Sequence, residues 1–221
     1  MSGESILPGF IFKLESIWQT KIFVMNEIAW DLTIQTKRLI LRPQKPKDYQ
    51  SWYVALSERL PQQYPYDEGQ INLDDYEANR FADICNSHQE QAFNDYAYIW
   101  GVFCRQTNQH LGNLDLSTIQ REEKQWANLG YSIHNQHWGQ GFGKESVRAA
   151  VIAGFEQLGY HRIEAAINLD NYPSIALVES IGLQKECIRY GFYYENDQWV
   201  DHVIYVAFPR DFGLDEKPPT S

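Results

Sequence analysis

The chain has 221 residues, enough to bury one substantial core, and 43% of them are apolar. Lysine and arginine number 19 against 29 aspartates and glutamates, a net charge of −10 that argues against a nucleic-acid partner. Cys85, Cys104 and Cys187 are odd in number and lack paired spacing, which speaks against a disulfide framework or a cysteine zinc site and suits the cytoplasm.

Phe10 to Trp30 is moderately apolar but carries Lys13, Glu15, Lys21 and Glu27. It therefore lacks the roughly 20 apolar residues of a membrane span, and it has no signal-peptide cleavage pattern. Residues 1–32 are read as an N-terminal extension, 33–210 as one domain and 211–221 as a flexible tail. Arg38 to Pro43 alternates and stops at a proline, as an opening strand would. Lys47 to Arg59 is expected to be a helix with Tyr49, Trp52, Tyr53 and Leu56 on one side. Leu60 to Gly69 holds two prolines and a glycine and reads as a loop. Leu73 to His88 is expected as a second helix, anchored by Tyr76, Phe81 and Ile84.

Three strands should follow, Ala97 to Cys104, Leu111 to Ile119 and Trp126 to His134, joined by turns into an antiparallel meander. Next comes Trp138-Gly139-Gln140-Gly141-Phe142-Gly143-Lys144-Glu145, with three glycines at alternate positions. A helix opens there, because Val147, Ala150, Val151, Gly154, Phe155 and Leu158 form one apolar face. Glycines let backbone N–H groups converge, and the positive end of the helix dipole favours an anion such as a pyrophosphate. Lys144 in the first turn is tolerated best if such an anion is bound. His161 to Ile167 is a further strand, parallel to its predecessor because a crossover leads to it. Pro173 to Ser180 is a short helix stopped by Gly182, and Lys185 to Tyr194 with Trp199 to Phe208 form a closing hairpin. The order describes an α/β fold, a single mixed and mostly antiparallel sheet flanked by helices.

Four marks in this order resemble the GNAT N-acetyltransferase superfamily, and more narrowly its Rim-type branch, which acetylates ribosomal-protein N-termini. They are Thr36 to Pro43; Gly130-Tyr131-Ser132-Ile133 with the glycine stretch; Asn171-Tyr172-Pro173-Ser174 with Gly182 to Glu186; and Trp199 to His202. The resemblance implies acetyl-CoA as cofactor, its pyrophosphate on the amides of Gly139, Gln140, Gly141, Phe142, Gly143 and Lys144. It implies that two central parallel strands splay, with the pantetheine arm along Ser132, Ile133 and His134 and the Ile133 N–H near the thioester carbonyl. Asn171 would bind the arm, and Ser174 would lie near the sulfur.

Three positions depart from the broad superfamily's pattern, the first being Trp138 at the opening of the glycine loop, where that pattern has arginine or glutamine and the Rim-type branch often has tryptophan. Val178 stands where many members carry a general-acid tyrosine, which leaves Ser174 as the nearest donor to the leaving sulfur. Tyr193 stands where some ribosomal-protein acetyltransferases carry a glutamate base. Ser174 and Tyr193 are therefore the expected catalytic residues, with His134, Asp115 and Glu164 as other base candidates, and no metal is expected. The reaction implied is direct attack of a primary amine on the acetyl group in a ternary complex, by a chain that is a monomer or homodimer. The acceptor expected is a protein or peptide N-terminal α-amine; the alternatives are a small-molecule amine or a non-catalytic acyl-CoA-binding module.

Overall fold

The computed structural model describes residues 30–219, so the expectation for the N-terminal extension lies almost wholly outside the described residues. Strand β1 (Ile34–Gln35) turns tightly into β2 (Leu39–Arg42), which the proline at 43 ends. β1 is a two-residue strand that carries no periodic signal. Helix α1 (Tyr49–Ser57) follows a short 3-10 turn over Pro46–Asp48, where Asp48 accepts bonds from the Arg42 guanidinium at 2.6 and 2.8 Å.

Helix α2 runs over Ala78–Phe93, five residues later at each end than expected. Its start is delayed because Asn72 Oδ1 captures the Asp74 N–H and Tyr76 N–H closes a turn onto Leu73 O, so these residues spend their bonds locally. It continues past His88 because the sequence offers no glycine or proline to stop it before Asn94. Trp52, Leu56, Phe81 and Cys85 bury one another between α1 and α2.

Strands β3 (Ala97–Cys104), β4 (His110–Gln120) and β5 (Trp126–Ile133) form the expected meander. Helix α3 (Phe142–Glu156) then crosses to β6 (Arg162–Asn168), and α4 (Tyr172–Ile181) leads to β7 (Gln184–Glu195) and β8 (Gln198–Ala207). Asn196 and Asp197, both with positive φ, make the two-residue turn between the last two strands. The eight strands form one sheet in the order β1-β2-β3-β4-β5-β6-β8-β7, antiparallel except where β5 meets β6.

Val147, Ala150, Val151 and Phe155 of α3 bury against Leu114, Leu116, Ile163 and Ala165 of the sheet, as the helix periodicity requires. The segment after β8 opens with a 3-10 turn, Pro209–Phe212, and the Phe212 ring packs 5.7 Å from that of Phe155. Leu116 is fully buried beneath α3. Leu116→Ala should lower unfolding stability by about 2–5 kcal/mol through lost burial and a residual cavity, measurable by urea denaturation.

Candidate active site

β5 and β6 pair at only three positions, Trp126 with Arg162, Ala127 with Ile163 and Asn128 with Glu164. Beyond these each strand keeps its outer partner: β5 stays paired to β4 as far as Ile133, and β6 to β8 as far as Asn168. The two central strands therefore part without either one fraying. On β5 the His134 N–H donates to Leu111 O at 2.9 Å, on the β4 side. Strand alternation then turns the Ile133 N–H and C=O toward the gap. The Trp138 indole N–H takes that carbonyl at 2.6 Å, which leaves the N–H as the donor on offer.

The glycine stretch sits at the mouth of the gap. Gly139 (φ 74°) and Gly141 (φ 76°) are both left-handed, a conformation that costs a residue with Cβ about 1–2 kcal/mol. Gly141 is the N-cap of α3, no side chain caps the helix, and the first helical bond is Glu145 N–H to Gly141 O at 3.1 Å. The N–H groups of Phe142, Gly143 and Lys144 thus have no intrahelical acceptor and face an open end. A Cβ on Gly143 would lie 2.8 Å from Leu177 Cδ1, so the third glycine lets α3 and α4 close together.

The loop is braced from a distance. Arg38 donates to Gln140 O at 2.8 Å and to Glu145 Oε2 at 2.6 Å, and its guanidinium lies 4.6 Å over the Phe142 ring. Glu145 also accepts from Thr36 Oγ1 at 2.6 Å and Arg38 N–H at 2.9 Å. Burial alone would raise the Glu145 pKa, but these bonds and the Arg38 charge outweigh it and hold the carboxyl below its usual value.

Across the gap, Asn171 caps α4 by accepting the Ser174 N–H at 3.3 Å. Ser174 Oγ lies 2.6 Å from the Tyr131 phenol oxygen on β5. Burial pushes the Tyr131 phenol up to about 12, with the Ser174 bond pulling the other way, so the group remains a proton carrier at neutral pH. Val178 is fully buried and presents only methyl groups.

The 60–69 loop closes the near side as an ordered strap. Asn135 exchanges bonds with Leu60 (2.8 and 2.7 Å) and donates to Asp67 at 3.0 Å, and Asp67 also accepts from Gln63 and Gly69 N–H and from Arg59 at 3.2 Å. The Tyr64 ring packs 5.4 Å from that of Trp138, and the Tyr66 hydroxyl bonds Asp170 after β6, so the strap bridges the gap. The open cleft beneath the strap measures about 810 Å³.

The cleft brings together most of the expected site: Ser132, Ile133, Gly139, Gly141, Phe142, Gly143, Lys144, Asn171 and Ser174 line it. Gln140 does not line it, and its carbonyl accepts from Arg38. Neither does His134. Its ring is 2% exposed and bonds His110 at 3.1 Å, and burial pushes its pKa down to about 2 and that of His110 to about 4. Tyr193 also stands outside the cleft, 42% exposed on β7, with its ring edge-on to Phe192 and His202. Sequence reasoning passed over Tyr131, Arg38 and the Arg59–Asp67–Asn135 cluster. Tyr131 lay in the quoted Gly130–Ile133 run and Arg38 in the quoted Thr36–Pro43 run, while nothing in the sequence marked the Arg59–Asp67–Asn135 cluster. Among the described residues no group of three or more His, Cys, Asp or Glu could hold a metal ion, and no helix is long and apolar enough to cross a membrane.

A parted pair of parallel strands with an uncapped helix N-terminus at its mouth is the arrangement the resemblance implied. Residues 38–184 match the family described as acetyltransferase (GNAT) domain, and the chain belongs to that family of acetyltransferase enzymes. It is 28% identical over 181 residues to an uncharacterized N-acetyltransferase, YoaA, of Bacillus subtilis, covering 80% of this chain and 98% of that one. Solved structures that share its fold include two of ribosomal-protein-type acetyltransferases. One is a putative ribosomal-protein-serine acetyltransferase from Vibrio cholerae (TM-score 0.67, 22% identity, 82% of this chain and 100% of that one). The other is Mycobacterium smegmatis RimJ in complex with CoA-disulfide (TM-score 0.70, 17% identity, 85% and 92%).

Burial would raise the Asp67 pKa, but bonds from Asn135, Gly69 and Gln63 and the Arg59 charge outweigh it and lower the value. A lowered carboxylate stabilises the strap above the unfolded pKa of about 3.9, and that contribution is lost as pH falls through the folded value. Amide exchange of residues 60–69 should therefore accelerate as pH drops below about 4, after correction for the intrinsic rate. Asn135→Ala should produce the same acceleration at neutral pH and lower stability by about 1–3 kcal/mol.

Proposed function

We propose that residues 33–210 act in the cytoplasm as an acetyl-CoA-dependent N-acetyltransferase whose acceptor is the α-amine of a protein or peptide N-terminus. The observation that carries the reading is the uncapped N-terminus of α3 opening onto the gap between β5 and β6. Its free N–H groups fit a pyrophosphate, since no side chain competes for them and a Cβ on Gly139 would meet only open space. The free edge of β5 fits the amide-bearing pantetheine arm as a strand would be fitted. RimJ, which shares this fold, is described in complex with CoA-disulfide. When bound, acetyl-CoA supplies an activated acetyl thioester.

The chain's own groups orient and polarise. The Ile133 N–H is a fixed donor for charge developing on the acyl oxygen, the kind of preorganised contact that lowers acyl-transfer barriers. In this reading Ser174 Oγ would donate a proton toward the departing sulfur, and the Tyr131 hydroxyl, 2.6 Å from Ser174 Oγ, would donate to Ser174 in turn. Tyr193 stands outside the cleft and has no part in this reading. An α-amine titrates near pH 8 and needs little help to lose its proton, whereas a lysine near 10.4 needs more. The like fold of a putative ribosomal-protein-serine acetyltransferase and the aromatic strap of Tyr64 and Tyr66 support a peptide acceptor. The three unpaired cysteines suit a reducing compartment.

Calorimetric titration should show wild-type protein binding acetyl-CoA, and Gly141→Glu should weaken it at least ~100-fold by combining a left-handed strain with a negative charge in the cradle. Undiminished binding by that variant would refute the site. Thiol release with a panel of N-terminal peptides should show Ser174→Ala lowering kcat about 10- to 100-fold while acetyl-CoA affinity changes little, as expected of a group that acts in the chemical step.

A further inference from the structure

The strand register fixes which side chains share the sheet face turned away from α3. Asp115 of β4 lies opposite Gly130 of β5, Ser117 lies opposite Asn128, and Asn128 in turn lies opposite Glu164 of β6. Leu114 and Leu116 point the other way, and a Cβ on Gly154 of α3 would come within 2.7 Å of Leu116 Cδ1. Asp115, Gly130 and Glu164 therefore share one face. Ser132, two residues beyond Gly130, carries that face to the cleft, where it is exposed.

The two carboxylates on this face differ sharply. Glu164, 1% exposed, is saturated: Arg189 donates to it at 2.6 and 2.9 Å and Arg162 at 3.0 Å. Asp115 accepts only the Ser117 hydroxyl, at 2.7 Å, and no ion pair reaches it among the described residues. Burial raises its pKa, with the Ser117 bond partly opposing, as befits a carboxylate that lacks a counter-charge.

Gly130 explains how the carboxylate comes to lie there. A Cβ at that position would collide with Asp115 Oδ1, so the missing side chain gives the Asp115 carboxylate room to lie over β5; neither residue lines the cleft itself, which this face reaches at Ser132. Along the strand Gly130 is about 7 Å from Ser132, a span one bridging water or a short aminoalkyl group covers.

We propose that Asp115 receives the ammonium group of the acceptor on this face of the sheet, beside the gap between β5 and β6. This rests on the acetyl-transfer reading and adds a side of approach and a requirement: the acceptor arrives as a primary ammonium cation. The pair completes an ion pair that the free protein lacks, and it places the amine opposite the face from which Tyr131 and Ser174 serve the leaving group.

The test uses Ser-Ala amide and spermidine as acceptors, with KM and kcat followed by thiol release and acetyl-CoA binding by calorimetry. Asp115→Asn keeps the shape and the Ser117 contact, and it should raise KM for the acceptor at least tenfold while acetyl-CoA affinity stays within twofold. Gly130→Ala, which pushes the carboxylate aside without removing it, should raise the same KM. An unchanged acceptor KM in Asp115→Asn overturns the proposal. If that variant loses its near-UV circular dichroism, the KM of Gly130→Ala decides on the same criterion. Failure of the wild-type protein to bind acetyl-CoA would instead overturn the acetyl-transfer reading. Where only one of the two acceptors saturates the wild-type protein, the KM of Asp115→Asn is read with that acceptor, and a tenfold rise assigns the carboxylate to an α-amine or to a polyamine accordingly.

Discussion

Everything in the site depends on β5 and β6 parting after three paired residues. A sheet that opens in its middle would ordinarily leave two strands with unmet backbone groups, a state that is expensive when buried. Here the loss is limited to one edge of each strand, because β4 and β8 hold the outer edges to the end of the gap. The Trp138 indole answers the Ile133 carbonyl, so the donor that remains is isolated and directional. A slot of this kind selects an extended ligand carrying its own amide groups. The helix N-terminus at its mouth selects one that ends in an anion.

The two faces of the sheet contribute different chemistry. On the α3 and α4 side, tight packing brings hydroxyls to the gap: Gly143 lets the helices approach, Asn171 fixes the first turn of α4, and Ser174 meets Tyr131. On the other side the central strands carry a polar row in which Glu164 is neutralised by two arginines and Asp115 is not. The strap over the near end is held by a buried hydrogen-bond cluster around Asp67 and Asn135, with direction supplied by Arg59. Such a cluster specifies one loop conformation, since every partner removed leaves another buried group unmet.

The sequence made part of this legible for physical reasons. Helix α3 is readable because its apolar residues recur with the helical period, and the meander because turns with asparagine or charged residues punctuate it. The start of α2 is not, because Asn72 and Tyr76 divert the backbone into local turns whose strength no periodicity reports. The glycine stretch and Ser174 stood out as local patterns and stand together in the cleft. Arg38 and Glu145 are 107 residues apart, and their clamp on the loop exists only once β2 and α3 are adjacent. Tyr193 was placed by alignment to a family position, but the β7 bulge between Arg189 and Tyr193 sets its ring against Phe192 and His202 instead. His134 followed the strand pattern, yet alternation buries its ring beside His110. Gly130 did carry a signal, since a glycine inside a strand marks close approach by another group.

The central claim is that the free edge of β5 and the open N-terminus of α3 hold one ligand between them. Hydrogen exchange with and without coenzyme A measures this at the backbone. The account expects slowed exchange at Tyr131 and Ile133 on β5 and at residues 142–144 of α3, with little change across the β3–β4 ladder. Equal exchange rates at both segments in the presence of saturating coenzyme A would contradict it.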